Sequence, residues 1–289
     1  MEKFNEKLDF SGVEDTALLT LYAKAIESRT NDPILKDIKA EELIDCLDPL
    51  IKQRTGKMAR QLYERSVDQR LTIHIPLRSK KYDDYTRDFL ANSPDGVVVN
   101  IGCGMDARFF RVDNGRVRFF DLDLPAMIKF KKQLLEQNDR YRMIGQSVLD
   151  LSWMDQVEKN KKPVLFLAEG VFMYLPENQV RRLVLEMQRR FPESELVCEL
   201  TNRTWVEGFW GKLAAIKMKQ HAKMGGDAGF QFGVSDPQEL ESWHAGIEFI
   251  EKWFYMDSNH PKLGWLRIFR NWELMRNTQY TARYHLHTA

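Results

Sequence analysis

The sequence predicts an α/β fold with a seven-stranded, mainly parallel sheet, an antiparallel last strand, a helical N-terminal extension and a helical lid. From residue 96 onward, short apolar runs alternate with segments of helical periodicity, which is typical of parallel strands joined by crossover helices. The first 90 residues show only helical periodicity. Residues 280–287 alternate apolar and polar side chains, which indicates a strand with one buried face.

The N-terminal extension begins with apolar residues at helical spacing behind Ser11, a candidate N-cap. These residues are Leu18, Leu21, Tyr22, Ala25 and Ile26. Further helical stretches run through Leu43 and through residues 58–67. We predict one domain, 1–289, consisting of a helical extension at 1–90, a core at 96–204, a lid insertion at 205–235, and C-terminal strands and a helix at 236–289.

The sheet is predicted from apolar runs that are each bounded by polar or turn-forming residues. The predicted strands cover residues 96–101, 116–121, 141–145, 163–168, 194–200, 247–255 and 280–287. Between the fourth and fifth strands, Val180, Leu183, Val184, Met187 and Phe191 repeat with the period of a helix that covers one face of a sheet. Residues 205–225, rich in Trp, Lys and Met, are interpreted as the helical lid.

The composition does not identify a partner, but it gives no indication of a nucleic-acid-binding, membrane-spanning or zinc-binding protein. The 43 basic and 42 acidic side chains give a net charge of +1, which indicates neither nucleic acid nor an acidic membrane as a partner. The three cysteines are Cys46, Cys103 and Cys198. They are too widely spaced for a zinc site, and their odd number does not fit a disulfide framework. We therefore expect the protein in a reducing cytoplasm. No apolar run approaches the roughly 20 residues that span a bilayer, and no spacing of His, Cys or acidic residues indicates a metal.

A glycine turn carries the strongest local signal for a ligand. The segment VVVNIGCGMDAR, residues 97–108, is a β-branched run that ends in a turn with Gly102 and Gly104 and leads into a helix. Glycine suits such a turn because the chain bends tightly and a ligand approaches the backbone closely. The next predicted strand ends with Asp121 and Asp123, and a carboxylate there can accept hydrogen bonds from the ribose of an adenosine.

The same turn also fits the G-x-G-x-x-A pattern of enzymes that bind NAD or NADP, so an oxidoreductase is an alternative. In that case a pyrophosphate would lie at the helix N-terminus, where the carboxylate of Asp106 would repel it unless Arg108 compensates. S-adenosylmethionine tolerates an acidic first turn because it carries an ammonium and a sulfonium. This argument favours S-adenosylmethionine, bound either by a methyltransferase or by a non-catalytic binding protein.

Four segments together resemble the leucine carboxyl methyltransferase family, in particular its bacterial branch, which includes polyketide O-methyltransferases. They are GVEDTALLTLYAKAIES, VVVNIGCGMDARFFRV, FFDLDLPAMI and LFLAEGVFMYLP, and they occur in the family's order. The resemblance runs from about residue 11 to the end of the chain. It implies a Rossmann-like class I methyltransferase that moves the methyl group of S-adenosylmethionine to a carboxylate or hydroxyl of a small, polyketide-like molecule or a peptide.

The resemblance also implies roles for individual residues. Gly102 and Gly104 would line the cofactor, Asp123 would bind the ribose, Glu169 would lie beside the methionine and sulfonium, and Arg78 would pair with the cofactor carboxylate. We expect Arg78 and Glu169 to converge on the methionine moiety, with Asp121 kept as a reserve ribose ligand. Where the family commonly has an acidic residue near the adenine, this chain has Ser147 and Val148.

Tyr174, which follows Glu169 in the motif, is the candidate to orient the methyl acceptor. A carboxylate acceptor needs no base, whereas a phenol would need its proton removed, and His221, His244 or His260 could serve.

Structural explanations compete with three of these assignments. Glu169 could cap the next helix, and Tyr174 could be a buried core residue. Arg78 could belong to an exposed basic cluster with Lys80 and Lys81.

Overall fold

The strands of the sheet lie close to their predicted positions in the computed structural model, which describes residues 15–157, 162–206, 229–272 and 276–288. They are β1 (Val97–Ile101), β2 (Arg118–Asp123), β3 (Tyr141–Gly145), β4 (Val164–Ala168), β5 (Ser194–Thr201), β6 (Ile247–Trp253) and β7 (Gln279–Leu286). These seven strands form one sheet in the order β3-β2-β1-β4-β5-β7-β6. The predicted and observed strand ends differ by no more than two residues.

The sheet is mixed, as predicted, because its last strand is antiparallel. β1 pairs with β4, β2 with β3, and β4 with β5 in parallel. β7 pairs antiparallel with β5 on one side and with β6 on the other. This arrangement is the one expected for a class I methyltransferase.

The chain divides into two compact units. The first unit comprises Met1–Pro94 and Cys103–Ser147, and the second comprises Asp95–Gly102 and Val148–Ala289. The division therefore passes through the glycine turn after β1.

The first unit contains the helical extension together with β2 and β3. Its helices are α1 (Asp15–Ser28), α2 (Ile38–Ile51), α3 (Lys57–Tyr63), α4 (Gln69–Asn92), α5 (Arg108–Val112) and α6 (Pro125–Lys131). Leu18, Leu21, Tyr22 and Ala25 of α1 are fully buried, so the predicted apolar face is the packed face. Ser11, the predicted N-cap, lies outside the described residues.

One predicted helix in this extension is shorter than expected. The sequence indicates a helical stretch over residues 58–67, but α3 ends at Tyr63 and α4 starts at Gln69. Arg65 lies between them with a φ of 58°, a left-handed conformation that an α-helix cannot contain.

The second unit contains β1, β4, β5, β6 and β7 with the crossover helix α7 (Glu177–Arg190). Every residue of β1 and β4 is buried, because a parallel strand inside a sheet is covered on both faces. The predicted helical repeat forms the buried face of α7, namely Val180, Leu183, Val184 and Met187.

The closing strand follows the predicted alternation with one exception. Tyr280, Ala282, Tyr284 and Leu286 of β7 are buried as expected. Thr281 is buried as well, because it faces the buried Glu199 of β5 rather than solvent.

The predicted lid cannot be compared with the structure, because residues 207–228, including His221, lie outside the described part of the chain. After β5, a 3-10 turn spans Arg203–Trp205, and the chain is described again from residue 229. In the C-terminal part, 3-10 segments span Pro237–Trp243 and Pro261–Asn271, and the second is interrupted at Gly264, whose φ of 50° and ψ of −129° are not helical. None of the described helices is both long and apolar enough to cross a membrane.

Candidate active site

Gly102 follows β1 in a conformation and a space that only glycine fits. Its φ is +61°, and a Cβ at this position would lie 2.4 Å from Cγ2 of Val171, a residue of the loop after β4. β1 and β4 pair in parallel with Ile101 opposite Ala168, so Gly102 and Glu169 both follow the carboxyl ends of neighbouring strands. Ligands of open α/β sheets bind at this edge.

Glu169 lies at this edge, partly buried, and is followed by Gly170 with a φ of +69°. The alternative role of Glu169, capping the next helix, stays a prediction. The N-cap positions of the 3-10 helix Phe172–Tyr174 and of α7 are Val171 and Pro176, whose side chains make no cap hydrogen bond.

Asp123, in the first unit, is held by the backbone on both sides of its carboxylate. Gly104 N–H donates to Oδ2 and Leu124 N–H donates to Oδ1, each at 2.7 Å. Burial raises the pKa of Asp123, although both hydrogen bonds oppose that shift. The side chain is partly exposed, and a carboxylate oxygen can accept more than one hydrogen bond. Asp123 can therefore accept further donors from a ligand while its orientation is fixed.

Asp121, the reserve candidate, has a different environment although it lies only two residues away. Lys131 Nζ lies 2.8 Å from its Oδ2, and the hydroxyl of Tyr141 donates to the same oxygen at 2.5 Å. The side chains of Asp121 and Lys131 are almost completely buried. Asp121 is thus paired inside the fold, which leaves Asp123 as the candidate ribose ligand.

Asp106, expected at the first turn of the helix after the glycines, is surrounded by cations. Lys24 Nζ lies 2.6 Å from Oδ1, Arg111 Nη2 lies 3.1 Å from Oδ1, and Arg108 Nη2 lies 3.3 Å from Oδ2. Burial alone would raise the pKa of Asp106, but these positive charges hold it well below its usual range. The expected repulsion of a pyrophosphate by Asp106 is therefore not a valid argument against NAD.

The same cations bind two further carboxylates. Arg108 Nε and Arg111 Nε donate to the two oxygens of Asp83 at 2.8 and 2.7 Å, and Arg111 Nη1 donates to Asp37 at 2.6 Å. This charge network, made of Lys24, Asp37, Asp83, Asp106, Arg108 and Arg111, joins α1, α4, α5 and the N-cap of α2. Lys24, Asp37 and Asp83 were not predicted as charged partners from the sequence. One signal was present, because Lys24 lies among the apolar residues of α1.

Arg78 lies inside α4 and differs from its basic neighbours. It is partly buried, between the buried Leu77 and Ser79. Lys80, in contrast, is exposed and pairs with Asp84 at 3.1 Å, and Lys81 lies over the ring of Tyr85. An exposed basic cluster is therefore a poor description of Arg78.

Ser147 and Val148 follow β3, where the sequence analysis expected contacts to adenine. Both are partly exposed. The carbonyl of Val148 accepts a hydrogen bond from Trp153 Nε1 at 3.0 Å, which fixes the backbone at that position.

Tyr174 is the last residue of the 3-10 helix after β4, and 40% of it is exposed, so the expectation of a buried core tyrosine is wrong. Its ring lies 5.8 Å from that of Phe230. Gln231 N–H donates to the carbonyl of Met173 at 2.7 Å, and Gln231 Nε2 donates to that of Tyr174 at 3.0 Å. These contacts hold the backbone at Tyr174 while its side chain remains accessible.

The described candidate bases, His244 and His260, each accept a hydrogen bond from a backbone N–H. His244 Nδ1 accepts from Gly246 N–H at 3.0 Å, and His260 Nδ1 accepts from Lys262 N–H at 3.3 Å. Cys103 is buried, and burial raises the pKa of its thiol well above the usual value, so it serves as a packing residue.

Comparisons with known proteins identify the family. The profile described as leucine carboxyl methyltransferase matches residues 17–188. The chain is 33% identical over 269 residues to the tetracenomycin polyketide synthesis O-methyltransferase TcmP of Streptomyces glaucescens, covering 92% of this chain and 91% of TcmP. It is 26% identical over 275 residues to the S-adenosyl-L-methionine-dependent methyltransferase dpfgK of Gibberella zeae, covering 91% and 90%.

A solved structure supports the fold. A Thermobifida fusca protein described as a candidate methyltransferase aligns over 97% of both chains with a TM-score of 0.59 and 15% identity.

The profile spans more than half of the chain, and the similarity to TcmP extends over nearly all of it. The resemblance seen in the four motifs is thus confirmed, and the chain belongs to the leucine carboxyl methyltransferase family.

Proposed function

We propose that this S-adenosylmethionine-dependent methyltransferase transfers a methyl group to a carboxylate oxygen of a small, polyketide-like or peptide-like acceptor. Two observations support an oxygen acceptor in a molecule of this kind. The chain belongs to the family, and it is similar to TcmP, whose name states O-methylation in polyketide synthesis. The observation that carries the cofactor assignment is the carboxylate of Asp123, fixed by Gly104 and Leu124 at the end of β2.

Asp123 suits the ribose because two vicinal hydroxyls need acceptors that are already correctly oriented. The backbone N–H groups of Gly104 and Leu124 fix both oxygens, and lone pairs remain for the hydroxyls. Gly102 and Gly104 would let the cofactor approach the backbone. Ser147 would donate or accept a hydrogen bond at the adenine, and the side chain of Val148 would pack on the ring.

Arg78 and Glu169 carry opposite charges that suit the zwitterionic end of the cofactor. Arg78 would bind the carboxylate through two parallel N–H donors, which is the strong geometry for this pair. Glu169 would bind the ammonium and lie beside the sulfonium. Both assignments follow from the chemistry, since burying either charge of the ligand without a partner would cost several kcal/mol.

When bound, S-adenosylmethionine supplies an electrophilic methyl group, because its sulfonium leaves as a neutral thioether. The protein has to align the acceptor with the methyl–sulfur bond, and alignment alone can remove a large part of a barrier. We assign this task to Tyr174, whose side chain is exposed and whose hydroxyl would donate a hydrogen bond to one acceptor oxygen. The other oxygen then attacks, the new C–O bond forms and the S–CH3 bond breaks.

A carboxylate acceptor fits the described residues better than a hydroxyl. A carboxylic acid is ionised at pH 7, whereas a phenol, with a pKa of about 10, must lose its proton. His244 and His260 each use Nδ1 to hold a backbone turn, which makes them poor general bases. A carboxylate needs no base and releases no proton.

Alkaline treatment distinguishes the products. Aromatic acids of polyketide-like size are incubated with the enzyme and S-adenosylmethionine labelled in the methyl group, beside the matching primary amides as controls. Base releases volatile methanol from methyl esters but not from methyl ethers or N-methyl groups. We expect volatile label from the acids and none from the amides. Label that is incorporated only in a base-stable form would contradict the carboxylate assignment.

A further inference from the structure

A cluster of two histidines and two glutamates lies in the second unit, and none of these four residues belongs to the candidate active site. His285 lies on β7 and His287 directly follows the end of that strand, two residues along, so both point to the same face of the sheet. Glu193 directly precedes β5, and its N–H donates to the carbonyl of Leu286 at 2.7 Å. Glu248 of β6 is the register partner of His285. Three strands therefore bring two imidazoles and two carboxylates together.

The distances suit a common metal ion. Oε2 of Glu193 lies 3.6 Å from Nδ1 of His287 and 4.0 Å from Nε2 of His285. Nδ1 of His285 lies 3.0 Å from Nδ1 of His287. One ligand atom from each of the three residues lies within 4.8 Å of the others. At metal–ligand distances of about 2.0–2.2 Å, tetrahedral zinc separates its ligand atoms by about 3.3–3.6 Å, so only small side-chain shifts are needed.

The surrounding residues hold these ligands in suitable orientations. Thr288 donates to Oε1 of Glu193 from its N–H and its hydroxyl, both at 3.2 Å, which leaves Oε2 directed towards the imidazoles. Glu193 itself has a φ of 62°, an uncommon conformation for a residue other than glycine. Glu248 Oε2 lies 2.6 Å from Nε2 of His287. A proton on Nε2 would satisfy that contact and leave the lone pair of Nδ1 for a metal.

We propose that Glu193, His285 and His287 bind a divalent transition metal ion such as Zn²⁺. Two imidazoles and one carboxylate form a ligand set that zinc accepts, with water completing the tetrahedron. Glu248 acts as the outer carboxylate that orients a metal-bound histidine. The ligands are partly exposed, with side-chain exposures of 60% for Glu193, 27% for His285 and 37% for His287, so the ion can reach them.

The position of the cluster indicates a structural role. Leu286, at the end of β7, pairs with Ser194, at the start of β5, so the cluster lies at the edge opposite the carboxyl ends of β1, β4 and β5. A bound ion would tie β7 to the start of β5 at the end of the chain. It would stabilise the second unit without contacting the methyl acceptor, and the inference does not depend on the proposed function.

Calorimetric titration of the untagged chain with ZnCl₂ tests the proposal. We expect one zinc ion per chain, and an affinity at least tenfold lower in His285→Gln and His287→Gln. Glu248→Gln removes only the outer contact, so it should bind the same amount of zinc about 10–100-fold more weakly. His260→Gln, a histidine outside the cluster, is the matched control and should bind as the parent does.

Two further measurements keep the test independent of folding defects. The thermal midpoint of each metal-free variant is compared with that of the parent, and zinc should raise the midpoint of the parent but not that of His287→Gln. Bound Co²⁺ should give the visible absorption of a tetrahedral site. Absence of zinc uptake by the parent would overturn the proposal, as would equal binding by parent, His285→Gln and His287→Gln.

Discussion

The first unit contains two kinds of carboxylate, and their difference separates the fold from the candidate site. The side chain of Asp83 is fully buried and that of Asp106 is 12% exposed, both carboxylates pair with arginines, and Lys24 completes the shell of Asp106. Asp123 is partly exposed and is held by two backbone N–H groups. A carboxylate whose charge is compensated by protein cations stabilises the fold, whereas a partly exposed carboxylate held only by backbone N–H groups retains capacity for a ligand. The predictions below test this distinction.

The largest effect is expected from removing the cation that links three carboxylates of the charge network. Arg111→Met leaves Asp37 and Asp83, both fully buried, without one of their partners. Breaking a buried ion pair from one side costs about 3–5 kcal/mol, so we expect a loss of that order in the free energy of unfolding in urea.

Arg140→Met is the matched control, because Arg140 pairs with Asp113 near the surface. Exposed pairs contribute about 0–1 kcal/mol. Equal losses in Arg111→Met and Arg140→Met would show that the buried network does not stabilise the fold.

The same network predicts a smaller effect that depends on pH. The folded-state pKa of Asp106 is depressed by Arg108, Lys24 and Arg111 against the effect of burial. Its stabilisation is therefore fully present above the unfolded pKa of about 3.9 and is lost as the pH falls through the folded pKa. Urea midpoints of the parent should fall in acid more steeply than those of Asp106→Asn. Parallel pH profiles would contradict the assignment.

Removing the charge of Glu169 should weaken cofactor binding without the loss in the free energy of unfolding that is expected for Arg111→Met. A hydrogen bond to a charged group contributes about 1.5–3 kcal/mol, so Glu169→Gln should lose roughly that amount in calorimetric titration with S-adenosylmethionine. Arg78→Lys keeps its charge but loses the planar pair of donors, so we expect it also to weaken binding. Glu177→Gln, an exposed glutamate in the first turn of α7, is the control. If both variants bind as tightly as this control, Arg78 and Glu169 lie outside the site.

The smallest effect is expected at Tyr174. Tyr174→Phe removes one hydrogen bond to the acceptor, worth about 1 kcal/mol, so kcat/KM for methyl transfer should fall about five- to tenfold while affinity for S-adenosylhomocysteine stays unchanged. Tyr63→Phe is a matched control, because Tyr63 is also 40% exposed. An unchanged kcat/KM would remove Tyr174 from the acceptor site.

The strands and the main helices could be predicted from the sequence because they depend on local periodicity. The alternation in β7 and the helical repeat in α7 are visible within a dozen residues. The end of α3 could not be predicted, since nothing in the sequence around Arg65 shows that its backbone becomes left-handed.

The roles of individual charges depend on residues that are distant in the chain. The family resemblance favoured Asp123 over Asp121, but the physical reason, the positions of Lys131 and Tyr141 beside Asp121, could not be predicted from the sequence. Arg111 and Asp37 are 74 residues apart, so the charge network has no local signature. The histidine cluster at the end of β7 also needs Glu193, which precedes β5, and Glu248 of β6.

The central claim is that Asp123 binds the cofactor ribose, and titration of Asp123→Ala with S-adenosylhomocysteine tests it most directly. Asp139→Ala, an exposed aspartate between α6 and β3, is the control. We expect Asp123→Ala to weaken binding by about 1–3 kcal/mol, with unfolding in urea close to that of the control. NAD should bind neither the parent nor the variants. Equal affinity of Asp123→Ala and Asp139→Ala for S-adenosylhomocysteine would contradict the claim.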